Sequence, residues 1–215
     1  MRSRYPGRLR ESCALVRAEA RTHLCSLVGL VKARLFFDKR RVNRLEIGPG
    51  GVKTKEGFIT SDLSFRTDFP YDLRLGLPFP DESLDLIYSE HVLEHFRYPD
   101  LVALLRDCYR TLKPNGVFSL AVPNARIYLE AYAHPETFDA RTYCTYDTGL
   151  SLRTPIDYVN YMFYMDGEHR HMFDEESILA LLGQIGLREV RLRPFDPALD
   201  QPERRYESLY AQGVK

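Results

Sequence analysis

A glycine-rich turn after a short apolar run is the first feature that could do chemistry. The apolar run that starts at Val42 ends in the sequence Glu46-Ile47-Gly48-Pro49-Gly50-Gly51. Glycines allow positive φ angles and let the backbone approach a ligand closely. Asp62 follows at the end of the next apolar segment, where a carboxylate can accept both hydroxyls of a ribose. The loop and the aspartate together predict a nucleoside ligand.

The same loop argues against a dinucleotide. A pyrophosphate site needs a third glycine that opens a helix. Val52 stands at that position, and too few residues separate Gly51 from Phe58 to form a helix.

Ligand-type side chains gather at a second place. His91, Glu94 and His95 have the spacing of one helix face, and His169 and His171 follow further along the chain. Read as H-x-x-E-H, the first group resembles an inverted zinc-peptidase motif, but its position matches a strand-to-helix junction of a different family, which the surrounding sequence resembles. Two interpretations stay open: a metal that orders a substrate hydroxyl, or a hydrogen-bonded cluster that pins residues 134–173 over the site.

Residues 134–173 are rich in aromatic side chains. Eight of these 40 residues are Phe or Tyr, or 20%, against 12% for the whole chain. Amphipathic rings suit a lid that stacks on a flat substrate. They suit a small aromatic core under a long loop equally well.

The elements that must position these residues alternate between strands and helices. The apolar runs predict strands over Val42–Ile47, Phe58–Thr60, Leu84–Tyr88 and Val117–Val122. Helical spacing predicts one helix over Asp100–Leu112 and another that Asp174 caps. Val190–Leu192 and Glu207–Val214 suggest a final hairpin. This alternation predicts a mostly parallel sheet covered on both faces.

The composition is that of a folded globular chain. The 215 residues are 44% hydrophobic and 28% charged, which excludes a disordered or collagenous protein. Four cysteines without a CxxC pair exclude a zinc ribbon. The 30 basic and 30 acidic residues balance, so a nucleic-acid partner is not expected.

Charge is concentrated at the start of the chain. Residues 1–44 carry twelve basic and three acidic side chains, a net charge of +9, and the remainder carries −9. The apolar run from Leu24 to Phe37 is too short and too charged to span a bilayer. Three interpretations remain for this arm: a helix packed on the main domain, an amphipathic helix on an anionic membrane, or a nucleic-acid contact.

At the family level, the sequence resembles class I S-adenosylmethionine-dependent methyltransferases. The resemblance rests on LEIGPGG, ITSDLS, LPFPDESLDLIYSEHVLEHF and LKPNGVFSLAVPN. Within the superfamily, the chain is similar to small bacterial enzymes often associated with cell-surface glycan synthesis. It implies a Rossmann-like α/β sandwich with a mostly parallel seven-stranded sheet, a C-terminal β-hairpin and S-adenosylmethionine as cofactor. It divides the chain into a helical arm, 1–41, and a methyltransferase domain, 42–215, with 134–173 as an aromatic-rich lid.

The resemblance also implies which residues bind the cofactor. Asp62 would hold the ribose hydroxyls, Asp72 would accept from the adenine amino group, and Glu90 would face the methionine end. The simpler alternative for Asp72 is a turn aspartate. The full implied set is Glu46, Gly48, Pro49, Gly50, Asp62, Leu63, Asp72, Leu73, Ser89 and Glu90.

A divalent metal is implied by a narrower resemblance. The small-RNA 2′-O-methyltransferases and the ubiquinone-pathway O-methyltransferases pair an E-x-x-E-H helix with a later histidine, and together these hold a metal. Here His91 replaces the first glutamate, whereas Glu94, His95 and His171 match. The implied metal set is therefore His91, Glu94, His95 and His171.

The expected reaction is in-line methyl transfer to a sugar hydroxyl or small metabolite. His171, His169 and His91 are the candidate bases for the hydroxyl proton. The absence of an NPPY-type sequence argues against a nucleobase amino group. The alternatives are an RNA ribose methyltransferase and a non-catalytic cofactor-binding subunit on a membrane-associated partner enzyme. The expected location is cytoplasmic, at the inner face of the membrane if residues 1–44 bind lipid.

Overall fold

Seven strands form one sheet at the centre of the molecule. The computed structural model describes residues 6–50 and 55–215, with side chains from residue 14 onward. Gly51, Val52 and the first five residues of the predicted arm lie outside this range. The strands are β1 (Arg44–Ile47), β2 (Phe58–Asp62), β3 (Phe69–Pro70), β4 (Leu84–Glu90), β5 (Leu112–Pro123), β6 (Arg188–Leu192) and β7 (Ser208–Val214).

The strand order explains where a ligand can bind. The order is β3-β2-β1-β4-β5-β7-β6. The first five strands are parallel to their neighbours, and β7 lies antiparallel between β5 and β6. The predicted parallel sheet and C-terminal hairpin are therefore confirmed. The carboxyl ends of β1, β2 and β4 meet at one edge, where ligands of such sheets bind.

Helices cover the sheet and complete the core. They are α1 (Pro6–Phe36), α2 (Tyr98–Thr111), α3 (Ala125–Ala133), α4 (Ala140–Tyr143), α5 (Pro155–Tyr164) and α6 (Glu175–Gln184). The predicted apolar stripe of α2 is buried, with Leu101 and Leu105 fully inaccessible. Asp174 caps α6 as expected, because its side chain accepts from the backbone N–H of Ser177.

The residues from His91 to His95 do not form the predicted α-helix. His91 has a φ of +51°, a left-handed conformation that a right-handed helix cannot contain. Only a 3₁₀ turn follows, at Leu93–His95, and α2 begins at Tyr98 with a proline in its first turn. The backbone N–H of His91 instead donates to the carbonyl of Ala121. His91 therefore stays at the sheet edge, beyond the end of β4.

Strand β5 begins five residues before the predicted start. It includes the stretch Lys113–Gly116, and Asn115 has a φ of +65°. The pairing of β5 with β4 is irregular between Leu84 and Leu86. That irregularity allows β5 to include Lys113–Gly116, which have the composition of a turn. The preceding helix, α2, ends at Thr111, within one residue of its predicted end.

Candidate functional site

A cleft of about 990 Å³ lies at the carboxyl ends of β1, β2 and β4. Nine of the ten residues implied to bind the cofactor line it: Glu46, Gly48, Pro49, Gly50, Asp62, Leu63, Asp72, Leu73 and Glu90. The tenth, Ser89, is fully buried, and its hydroxyl has no hydrogen-bond partner among the described residues. The implied set is thus brought to one place; its cofactor contacts remain a prediction.

The backbone of the glycine turn passes close to the side chain of Val92. Gly48 has a φ of +66°, and a Cβ at this position would lie 2.4 Å from a methyl group of Val92. Only glycine fits both constraints. Asp62 fixes the other side of the turn, since its Oδ2 accepts from the N–H of Gly50 at 3.0 Å and its Oδ1 from the N–H of Leu63 at 2.6 Å.

Buried charges form one wall of the cleft. Lys55 Nζ lies 2.6 Å from Glu46 Oε1 and 3.7 Å from Glu90 Oε2. Glu90 also accepts from the N–H of Gln201 at 2.9 Å, and burial raises the pKa of its carboxyl. Lys55 and Gln201 were not singled out in the sequence, because neither belongs to a motif and both come from loops that fold back onto the sheet edge.

Asp72 has the turn role that was its simpler interpretation. It caps a 3₁₀ turn at Leu73–Leu75 and forms an ion pair with Arg74 at 2.6 Å. Burial alone would raise the pKa of Asp72, but hydrogen bonds from Arg74 outweigh it and lower the pKa. The carboxylate is therefore ionised and still lines the cleft, so an adenine contact stays a prediction.

The described residues contain one group of three side chains arranged as metal ligands. One ligand atom each from Glu94, His95 and His169 lies within 4.8 Å of the others. The implied set is only partly assembled, because the ring of His171 packs against Tyr98 and Phe173 instead. His171 reaches the site through its backbone, whose N–H donates to the carbonyl of Glu94 at 3.0 Å.

His91 has other partners as well. Its Nε2 lies 2.7 Å from the hydroxyl of Ser208, and its Nδ1 lies 3.8 Å from Glu94 Oε1. Burial lowers the pKa of His91 well below its usual value. His91 is therefore a neutral neighbour of the Glu94 group.

Backbone carbonyls set the tautomers of the two grouped histidines. Nδ1 of His169 contacts the carbonyl of Met162 at 2.5 Å, and Nδ1 of His95 contacts the carbonyl of Glu168 at 3.2 Å. A carbonyl only accepts, so in each neutral ring Nδ1 carries the hydrogen and Nε2 keeps its lone pair. Burial lowers the pKa of His169 to about 4, which keeps its ring neutral at physiological pH.

Glu94 is the most unusual residue of the site. It is completely buried, and neither carboxylate oxygen has a hydrogen-bond partner among the described residues. Burial raises the pKa of this carboxyl to about 8. A buried polar group without a partner is costly, so Glu94 requires a ligand, a proton or a cation.

Several arginine side chains contribute to the cleft. Arg97, Arg170 and Arg204 all line it, and the N–H of Arg170 donates to the carbonyl of Glu94 at 2.7 Å. Arg97 pairs with Asp100 at 3.4 Å. Within the described part of the chain, Arg170 and Arg204 have no carboxylate within ion-pair distance. These arginines belong to no motif or periodic pattern in the sequence, so they were not predicted to be site residues.

The aromatic side chains of residues 134–173 pack mainly against one another. Tyr161 is fully buried, and Phe138 packs against Tyr143 and Tyr158 with ring centroids 5.3 and 4.7 Å apart. From this segment, the cleft is lined by Glu168 and Arg170 rather than by rings. The small aromatic core is thus the interpretation that the structure favours for these rings.

Comparisons with known proteins find similarity to methyltransferases in one part of the chain. A family model described as a methyltransferase domain matches residues 45–120. The chain is 36% identical, over 59 residues, to a probable S-adenosylmethionine-dependent methyltransferase of Mycolicibacterium smegmatis; the match covers 27% of this chain and 22% of that protein. It is 29% identical over 80 residues to sterol 24-C-methyltransferase ERG6B of Gibberella zeae, covering 37% of this chain and 19% of that one.

A solved structure shares the fold. PigF with SAH superposes with a TM-score of 0.50 at 13% sequence identity, over 85% of this chain and 59% of that chain. The matched segments span only about a fifth of the two curated relatives, 22% and 19% of their lengths. The matched residues, 45–120, contain the glycine turn and the strands β2, β3 and β4, and this part of the chain is similar to the methyltransferase domain of S-adenosylmethionine-dependent enzymes.

Proposed function

We propose that the protein transfers the methyl group of S-adenosylmethionine to a hydroxyl oxygen of a small acceptor that carries an anionic group. The observation that carries the proposal is that His95, which is grouped with the buried Glu94 and His169, lines the same cleft as Gly48 and Asp62. A cofactor bound along that cleft would direct its methyl group toward these side chains.

The reaction needs alignment and a proton acceptor. The acceptor oxygen forms a bond to the methyl carbon, the carbon–sulfur bond breaks, and S-adenosylhomocysteine leaves. The hydroxyl proton passes to a neutral nitrogen, for which His95 is best placed, because its ring faces the cleft and its Nε2 keeps a lone pair. His171, one of the three candidate bases from the sequence, has its ring packed against Tyr98 instead.

The same group fits a divalent metal. Two imidazole nitrogens with Nδ1 fixed by carbonyls and one unpartnered carboxylate are a typical donor set for such an ion. Glu94, His95 and His169 would hold it. Because the ion would take the Nε2 lone pair of His95, His95 would not act as the base with the ion bound; the ion would instead polarise and acidify the acceptor hydroxyl, whose proton would pass to water. This proposal replaces His91 and His171 of the implied set with His169.

The acceptor class follows from charge. Arg170 and Arg204 line the cleft, and in the part of the chain that the structure describes no carboxylate lies within ion-pair distance of either guanidinium. Guanidinium groups bind phosphate and carboxylate well. A sugar phosphate, a sugar acid or a similarly charged small metabolite would therefore fit better than a neutral sugar.

The test is a methyl-transfer screen with radiolabelled cofactor. Sugar phosphates, sugar acids, the matching neutral sugars and RNA would be offered as acceptors. We expect label in an ether of an anionic small acceptor, and we expect Arg204→Ala to raise the acceptor KM roughly tenfold or more. The exposed Arg141→Ala is the control. Label on an amine, or equal activity with neutral sugars, would contradict the acceptor assignment.

A further inference from the structure

The outward face of α1 carries a row of exposed apolar side chains. Leu24, Leu27, Val31 and Leu35 are 55%, 57%, 45% and 68% exposed. At 100° per residue, these four positions fall within an arc of about 80°. Contiguous apolar surface of this kind marks an interaction site.

The opposite face of α1 holds the helix on the domain. Cys25 and Ala33 are buried, and a Cβ on Gly29 would lie 2.0 Å from the carbonyl oxygen of Pro70 in β3. Lys32 Nζ donates to the carbonyl of Asp68 at 2.7 Å. The small residues of α1 therefore pack on the domain, and the row of apolar side chains stays exposed on the other face.

Exposed arginine side chains flank the apolar row of α1. Arg17, Arg21 and Arg34 are exposed, and none has a carboxylate within ion-pair distance among the residues described. From residue 14 to the end of α1, Glu19 is the only acidic residue, and it lies 3.4 Å from His23. A second copy docked on this face would set arginines against arginines. An anionic lipid surface would complement both the charge and the apolar row.

We propose that α1 binds an anionic membrane surface through Leu24, Leu27, Val31 and Leu35, with the flanking arginines on lipid headgroups. No helix in the described part of the chain is long and apolar enough to cross a membrane, so contact would be at the interface. This inference does not depend on the proposed reaction, because the row faces away from the side of α1 that packs on the domain.

The test is co-sedimentation of the full chain with vesicles of phosphatidylcholine alone or with about 30% phosphatidylserine. We expect binding to the phosphatidylserine vesicles, weaker in about 0.5 M salt. The double variant Leu27→Gln, Val31→Gln should bind at least tenfold more weakly. Leu129→Gln is the matched control, because Leu129 is 50% exposed on α3.

Three results would overturn the proposal. The first is a parent protein that does not sediment with phosphatidylserine vesicles, and the second is a double variant that sediments as well as the parent. The third is light scattering that shows a dimer which the double variant dissociates, without vesicle binding; the row would then be an interface between copies. Circular dichroism of each variant establishes that it is folded.

Discussion

The hydrogen bonds of Glu94, His95 and His169 determine which of their atoms are available to a ligand. The carbonyls of Met162 and Glu168 occupy the Nδ1 positions of the two rings, and nothing described contacts the carboxylate oxygens of Glu94 by hydrogen bond. The Nε2 atoms of His95 and His169 and the carboxylate of Glu94 are therefore three acceptors that lie close together. This convergence is the physical basis for a cation at the site.

We therefore predict that the purified protein binds one divalent metal and that His169→Gln removes most of it. Replacing a ligand should weaken metal affinity by roughly tenfold to a hundredfold or more. His171→Gln is the matched control, since the His171 ring packs against Tyr98 and Phe173. Elemental analysis after dialysis measures both variants. Retention of metal by His169→Gln, or its loss only in His171→Gln, would contradict the ligand set.

The sequence could not decide whether His169 or His171 joins Glu94 and His95. Both histidines lie in one short segment, and residue type alone does not distinguish them. The structure does, because His169 is buried against Met162 whereas His171 faces Tyr98. In contrast, Gly48, Gly50 and Asp62 could be placed from sequence, since a glycine turn after a strand and a carboxylate after the next have fixed positions in a parallel sheet.

At the scale of elements, residues 134–173 form a small second core beside the main one. Tyr128, Tyr161 and Met162 are its buried centre, and partly buried rings such as Phe138 pack around them. A segment with its own core can hold Glu168, His169 and Arg170 in place at the cleft. The packing of this second core therefore accounts for the aromatic richness of the segment.

Accordingly, we predict that Tyr161→Ala acts on stability. Loss of a fully buried ring should lower the free energy of unfolding by about 3–5 kcal/mol, with cofactor affinity of the folded fraction unchanged. Tyr164→Ala is the control, because Tyr164 is 63% exposed on the same helix. Urea unfolding of both variants provides the measurement. A raised acceptor KM with parent-like stability in Tyr161→Ala would instead support a substrate-stacking lid.

Element boundaries were predictable where periodicity or capping was strong. The predicted limits of α2 and β2 lie within two residues of those observed. The short β3 was missed, because two residues, Phe69 and Pro70, show no alternation. The false helix at His91–His95 arose because helical spacing cannot reveal the positive φ of His91.

On the scale of the whole molecule, the strand order gathers residues distant in sequence at one edge of the sheet. Asp62 and Glu90 end two strands that both flank β1, and Gln201 and Arg204 join them from the loop before β7. Alternation of strands and helices predicted the parallel sheet, whereas its full seven-strand form came from the family resemblance. The positions of Gln201 and Arg204 at the cleft depend on tertiary packing, which local sequence patterns do not predict.

The central claim is that this cleft binds the methyl-donor cofactor, and titration calorimetry with S-adenosylhomocysteine tests it most directly. We predict one site per chain in the parent protein. Asp62→Ala should bind about tenfold more weakly or worse, a loss of about 1–2 kcal/mol, because the ribose hydroxyls lose their acceptor. Asp147→Ala, an exposed aspartate outside the cleft, should bind as the parent does. Absence of binding by the parent, or equal affinity in Asp62→Ala, would contradict the account.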